Sequence, residues 1–239
     1  MTTTTRNTNS IVFNLIALTK PRVNFLIIFT AIVGMLLAQD YSLNYYLMLY
    51  ASIGIYLAAS AAAVINHIVD QKIDAIMDRT KSRPLIRGNV TTNHAIYFSI
   101  FISSLSTYIL FQYVNTITTI LTLFSIIVYS IIYSVYLKNL TSQNIVIGGI
   151  AGAMPPLLGW TAMTNGVSEL PLLLFLIIFL WTPPHFWALA VYKQEDYSKA
   201  NVPMLPVTHG ADFTRLHIFL YSILLLSLIH ISEPTRPSS

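Results

Sequence analysis

Asn66, Asp70, Asp74 and Asp78 fall four residues apart in NHIVDQKIDAIMDRTKSRPL (66–85), a stretch that holds three of the nine acidic residues of the chain. Arg79, Lys81, Arg83 and Arg87 follow at once. On a helix, positions i and i+4 share a face, so the four side chains would form a slowly spiralling column. Like charges at that spacing repel by roughly 0.2–0.5 kcal/mol per pair, so the column calls for a compensating partner. A hard divalent cation is the simplest one, because it takes oxygen ligands and often shares them with a substrate phosphate. The spacing therefore points to a Mg²⁺–diphosphate site. Asp70 and Asp74 would bind metal, Asn66 and Asp78 would assist, and Arg83 or Arg87 would hold phosphate oxygens with its bidentate fork. Lys72 lies within the column and serves either the diphosphate or the neutralisation of its neighbours. The competing reading is a solvated loop helix whose acids offset its own bases. Asn66 and Asp70, however, directly continue the apolar AASAAAVI (58–65), which starts them at the membrane edge, where acids are functional by default.

A second charged stretch, WTPPHFWALAVYKQEDYSKANVPMLPVTHG (181–210), contains Lys193, Glu195, Asp196 and Lys199. Glu195 and Asp196 would point to different faces of a helix, and Asp196 is the better candidate to join a shared metal site. His185 lies between aromatics, where it could serve as a porphyrin iron ligand, a general acid/base, or a hydrogen-bonded intramembrane histidine. Pro183 and Pro184 are expected to break or kink its helix. Lys138, at the end of YSIIYSVYLK (129–138), is either a topology anchor or a phosphate ligand. His67 could be a ligand or a bystander; His94, His209 and His217 read as bystanders. The run GGIAGAMPPLLGW (148–160) reads as a close helix contact with a break beside a cavity. It is not a phosphate loop, because it sits inside an apolar span.

These residues need a scaffold, and composition names it. Of 239 residues, 55% are hydrophobic and 9% charged, against about 25% charged in soluble domains. The expected fold is all-α, a polytopic transmembrane bundle. Apolar stretches near 23–39, 46–65, 95–113, 117–136, 145–163, 169–190 and 215–231 are each long enough to span. Residues 1–22 read as a polar N-terminus. Cysteine is absent, which rules out thiolate metal sites, and no dense basic arm suggests nucleic acid. The longer charged loops (66–94, 137–144, 191–214) fall on one side, along with every Lys and Arg except Arg236. By the positive-inside rule that side is cytoplasmic, which suits a bacterial inner membrane. Arg236 belongs to an odd tail. Leu226 to Arg236 reads as the translation of a transposon adapter used in sequencing libraries, so we expect the natural chain to end near Leu225 and residues 226–239 to be non-native.

The N-x-x-x-D-x-x-x-D of Asn66, Asp70 and Asp74 resembles the signature of the UbiA superfamily of intramembrane prenyltransferases. DRTKSRPL (78–85), YLKNLTSQNIVIGGIAGAMPPLLGW (136–160) and TPPHFWALAVYKQEDYSKANVPMLPV (182–207) resemble its haem-farnesylating branch. That resemblance implies a bundle of nine helices, of which this chain supplies about seven; without the last pair one cavity wall would stand open. It implies that farnesyl diphosphate and haem B are the substrates and haem O the product. Mg²⁺ would be bound by Asp70, Asp74, Asp78 and Asp196. The diphosphate would meet Asn66, Lys72, Arg83, Arg87 and Lys138, and haem would meet His185. It also implies a downstream haem-modifying enzyme or oxidase assembly as partner. Two other readings stay open on the residues: prenylation of an aromatic acid or quinone precursor, and a transporter. A transporter would place its acids near mid-membrane.

Overall fold

The computed structural model describes residues 11–38, 44–78 and 80–232, and all the regular structure in them is helical. Arg6, the loop around Asp40, Arg79 and Arg236 lie outside the described residues. The chain opens with α1 (Ile11–Leu18) and α2 (Pro21–Leu37), followed by α3 (Tyr45–Val69), α4 (Gln71–Ile76), α5 (Thr92–Tyr113) and α6 (Thr116–Ile127). Helix α6 runs on as a π-helix, Val128–Leu137, into the short turn α7 (Lys138–Leu140). Then come α8 (Asn144–Thr164), α9 (Glu169–Tyr192), α10 (Gln194–Lys199), α11 (Leu205–His209) and α12 (Ala211–Ser232).

Six of these segments are long and apolar enough to cross a membrane: α3, α5, the continuous Thr116–Leu140, α8, α9 and Ala211–Ile231. The pair α1 and α2, bent by 48°, makes a seventh. These match the expected seven spans except at the start, where Ile11–Leu18 is helical although the sequence reading placed it in a polar terminus. Seven of its eight residues are apolar, and only Asn14 and Leu18 are buried. The bend has a local cause. Lys20 stands in the left-handed region (φ 53°, ψ 59°), and Pro21 then opens α2 at its first position, where a missing N–H costs nothing.

The break expected within 148–160 is absent, and neither proline pair interrupts its helix: α8 continues through Pro155 and Pro156, and α9 through Pro183 and Pro184. Packing explains the tolerance. Pro155, Pro156 and Pro183 are buried against neighbours, and neighbouring helices can accept what a proline disturbs. Close packing is most evident between α2 and α8. A Cβ on Gly34 would overlap the carbonyl of Pro156, and one on Gly159 would overlap the carbonyl of Ala31. In lipid there is little hydrophobic drive between helices, so contacts of this kind hold the bundle together.

One apolar cluster, Ala31, Met35, Ile55, Leu110, Met154, Leu157, Leu158 and Ala162, fills the bundle between α2, α3, α5 and α8. Another, Met77, Ile145, Trp187, Ala190, Ala200, Val202, Met204 and Leu205, clamps the two charged loops together at the other end.

Candidate functional site

The C-terminal end of α3 delivers Asn66, His67 and Asp70 to one place, and α4 adds Asp74. Each is almost fully buried, with Asp70 and Asp74 both 3% exposed. Buried carboxylates require partners; two cations bind them directly, and a third reaches them through Asn66. Lys138 Nζ donates to Asp70 Oδ2 at 2.6 Å. The Arg83 guanidinium donates to Asp74 Oδ2. Lys20 Nζ, delivered by the α1–α2 bend, donates to Asn66 Oδ1 at 3.0 Å.

Asn66 ties the group together. Its amide donates to Asp70 Oδ2 at 2.9 Å and to Ser134 Oγ at 3.0 Å. Ser134 in turn donates to the carbonyl of Tyr129 at 2.8 Å. Both residues belong to the π-helical stretch, a rare backbone form that recurs at functional sites. The wider turn sends Ser134 and Lys138 to the charged cluster while Tyr129 and Tyr133, stacked at 5.7 Å, line a cavity beside it.

Asp74 also faces His67 Nδ1 at 3.8 Å. Burial pushes the Asp74 carboxyl up, but His67 and Arg83 together outweigh it and hold the group below its usual 3.8. A carboxylate depressed in this way stabilises the fold above its ordinary value and loses that contribution only as pH falls through the lower folded value. Arg83→Gln removes one of the two groups that oppose burial, so the acid-unfolding midpoint should rise. Tryptophan fluorescence of the detergent-solubilised protein reads this directly; an unchanged or lower midpoint would rule out the assignment.

The residues fit a Mg²⁺ ion shared with a diphosphate. Asp70 Oδ1 is buried without a hydrogen-bond partner, an oxygen that costs free energy unless a ligand takes it. Among the described residues no three His, Asp or Glu side chains converge into a closed cage. Mg²⁺ characteristically binds through one or two carboxylates plus substrate phosphates. Lys20, Arg83 and Lys138 outnumber the two carboxylates, so the cluster retains positive charge for an anion.

The cavity next to the cluster measures about 360 Å³, in the range of small-molecule sites. Lys20 marks its charged end. Ala58, Ala59, Ala62 and Ala63 of α3, Gly148, Gly149, Gly152 and Pro155 of α8, and Trp181 and Phe186 of α9 line it with apolar surface.

Several expected site residues stand elsewhere. Asp78 is exposed and pairs with Lys81 at 2.6 Å. Helix α4 stops at Ile76 and Met77 is extended (φ −77°, ψ 127°), so the four-residue register fails before its last rung. Lys72 and Arg87 are exposed. Lys72 is two positions from both Asp70 and Asp74, which on a helix turns it to the opposite face. Arg87 lies past the end of α4 in the turns of 80–88, where helical spacing no longer applies. Asp196 is half-buried with its carboxylate 4.0 Å from Lys193 Nζ. Its loop packs on the first through Tyr197, Ala200 and Val202 rather than through its acid. His185 lies on the exposed side of α9, stacked at 4.3 Å on Trp181, which itself lines the cavity.

Sequence reasoning missed Lys20 as a site residue, together with Ser134, Tyr129 and Tyr133. The signal for Lys20 was present: a lysine immediately before a proline that begins a membrane helix is held at a fixed joint.

Residues 27–235 match the UbiA prenyltransferase family. The chain is 54% identical over 210 residues to a protoheme IX farnesyltransferase of Hahella chejuensis, an alignment covering 88% of this chain and 70% of that one. It is 55% identical over 208 residues to the Nitrosomonas eutropha enzyme of the same name, covering 87% and 70%. Among solved structures it is similar to a UbiA homologue from Archaeoglobus fulgidus bound to GPP and Mg²⁺. The TM-score is 0.73 at 17% identity, covering 93% of this chain and 80% of that one. A digeranylgeranylglyceryl phosphate synthase aligns with a TM-score of 0.76 at 20% identity, covering 91% and 76%. At these identities the structural likeness establishes the fold.

Proposed function

The chain belongs to the UbiA prenyltransferase family, and from that membership we propose that it transfers a farnesyl group from farnesyl diphosphate to a vinyl group of haem B, giving haem O and diphosphate. The acceptor reading rests on the protoheme IX farnesyltransferases with which the chain shares about half its residues. The observation that carries the chemistry is the buried pair Asp70 and Asp74, bound by Lys138 and Arg83 and linked through Asn66 to Lys20, at the charged end of an apolar cavity.

Asp70 and Asp74 would hold Mg²⁺ together with diphosphate oxygens; the metal, when bound, supplies positive charge that draws electrons from the breaking C–O bond. Arg83 and Lys138, released from their carboxylates, would turn to the leaving diphosphate and neutralise the charge that develops there. Lys20 would reach the same group from the α1–α2 joint. The alanine- and glycine-lined cavity would exclude water from the allylic carbon until the vinyl group attacks it. Tyr129 and Tyr133 would present ring faces to a nearby cation. The vinyl carbon bonds to C1 of the farnesyl group, and water then adds at the carbon next to the porphyrin and gives up a proton. His185 and Trp181, on the exposed side of α9, remain the residues we propose for the haem face.

The site lies on the positively charged side, which we assign to the cytoplasmic face of a bacterial inner membrane. A haem-modifying enzyme or an oxidase assembly would take the product. Membranes containing this chain, given farnesyl diphosphate, haem B and Mg²⁺, should form haem O detectable by mass. Removal of Mg²⁺ by chelation should abolish it. Turnover with 4-hydroxybenzoate-like acceptors but not with haem B would refute the assignment.

A further inference from the structure

Three glycines of α8 face the cavity: Gly148, Gly149 and Gly152. Two have evident packing reasons. A Cβ on Gly148 would run into the ring of Tyr133, and one on Gly149 would press on Thr182 at 3.1 Å. Gly152 has none, because a Cβ there would meet nothing within 4 Å. Its backbone is ordinary helix, not the left-handed form that favours glycine. A glycine in a helix interior costs stability relative to alanine, and here neither backbone geometry nor a close neighbour offsets that cost. The space above Gly152 is open and belongs to the cavity.

The position has a defined depth. Asn144, at the start of α8, donates to the carbonyl of Lys138 and so marks the level of the charged cluster. At 1.5 Å per residue Gly152 lies about 12 Å further along the helix. On α3, Ala58 and Ala59 lie at a comparable distance from Asn66, and they too line the cavity with minimal side chains. Beyond Gly152 the wall continues through Pro155 to Leu158, which with Ile55 lines the cavity and also belongs to the packed core.

We infer that Gly152 sets the length of prenyl chain the enzyme accepts, its absent side chain leaving room for the distal isoprene units of the donor. This rests on reading the cavity as the donor's prenyl site. A side chain at 152 would narrow the cavity partway along, leaving the charged end intact. It should therefore discriminate by chain length without disturbing diphosphate binding.

The test compares geranyl, farnesyl and geranylgeranyl diphosphate as donors to haem B, using the full chain in membranes, for the parent and for Gly152→Ala and Gly152→Leu. The leucine variant should shift the geranyl-to-farnesyl ratio of kcat/KM by at least about tenfold toward geranyl, since a pocket discriminates by about that much or more per unit of apolar size. The alanine variant should shift it in the same direction by less and should reject geranylgeranyl. If Gly152→Leu fails to accumulate, the alanine variant alone decides: an unchanged ratio overturns the inference. A parent that transfers farnesyl together with variants of unchanged preference overturns the role of Gly152 and leaves the proposed function standing. A parent that transfers none of the three donors overturns that function and the inference with it.

Discussion

Asp70→Asn and Asp74→Asn are each expected to lower kcat for haem O formation by about 10²–10³-fold, the loss typical of removing one pre-placed electrostatic group from a reacting centre. The substitutions keep size and most hydrogen bonds, so the loss isolates charge. Each carboxylate takes its cation through Oδ2: Lys138 at Asp70, Arg83 at Asp74. Replacing either by an amide leaves that cation buried against a neutral group and removes a hard oxygen ligand for Mg²⁺. The two effects separate experimentally. Raising Mg²⁺ should partly restore Asp74→Asn if metal affinity is the main loss. For Asp70→Asn restoration should be weaker, because Asp70 is also tied to Asn66 and, through it, to Lys20 and Ser134. Asp78→Asn provides the contrast. Its carboxylate is exposed and pairs with Lys81, and turnover should stay within about twofold, as expected for an exposed ion pair. Full turnover by Asp70→Asn would remove the metal assignment.

Gly159→Leu should be the most damaging change to the fold. The Cβ of any side chain there would overlap the carbonyl oxygen of Ala31 and crowd Met35 N. These are backbone atoms of α2, which cannot rotate out of the way as a side-chain end can. Overpacking a core commonly costs about 1–3 kcal/mol and occasionally more; a helix-against-helix backbone clash belongs at or above the top of that range. Helices α2 and α8 would have to separate, which also moves Lys20 and the cavity wall. We expect a large fall in thermal midpoint in detergent, with little folded protein recovered. Gly152→Ala, eight residues from Asn144 on the same helix and facing open space, should leave the midpoint unchanged or higher. Equal midpoints for Gly159→Leu and the parent would show that α2 and α8 do not pack as described.

The comparison between sequence and structure turns on where helical periodicity holds. Asn66, Asp70 and Asp74 could be read from spacing because one nearly continuous helical path carries all three. Asp78 could not, since the path ends at Ile76 and four-residue spacing loses its meaning there. Arg83 was identified from its chemistry, but its distinction from Arg87 depends on the turns of 80–88, which no periodic pattern describes. On sequence alone Lys138 reads as either a topology anchor or a phosphate ligand. Its role in the cluster depends on the π-helical stretch before it, which changes the facing of every residue from Tyr129 onward and has no compositional signature.

Membrane class, the seven apolar spans, the Asn66–Asp70–Asp74 ladder and the family resemblance are all legible in the residue order, because they rest on local hydrophobic length and on residue spacing within a single helix. Helix packing brings Lys20, from the first bend, and Lys138, from the far end of a π-helix, to that ladder, and opens Gly152 onto the cavity. Those facts depend on how separate helices approach one another. Small residues and backbone contacts set that approach, and their consequences span 46 residues in one case and 68 in another.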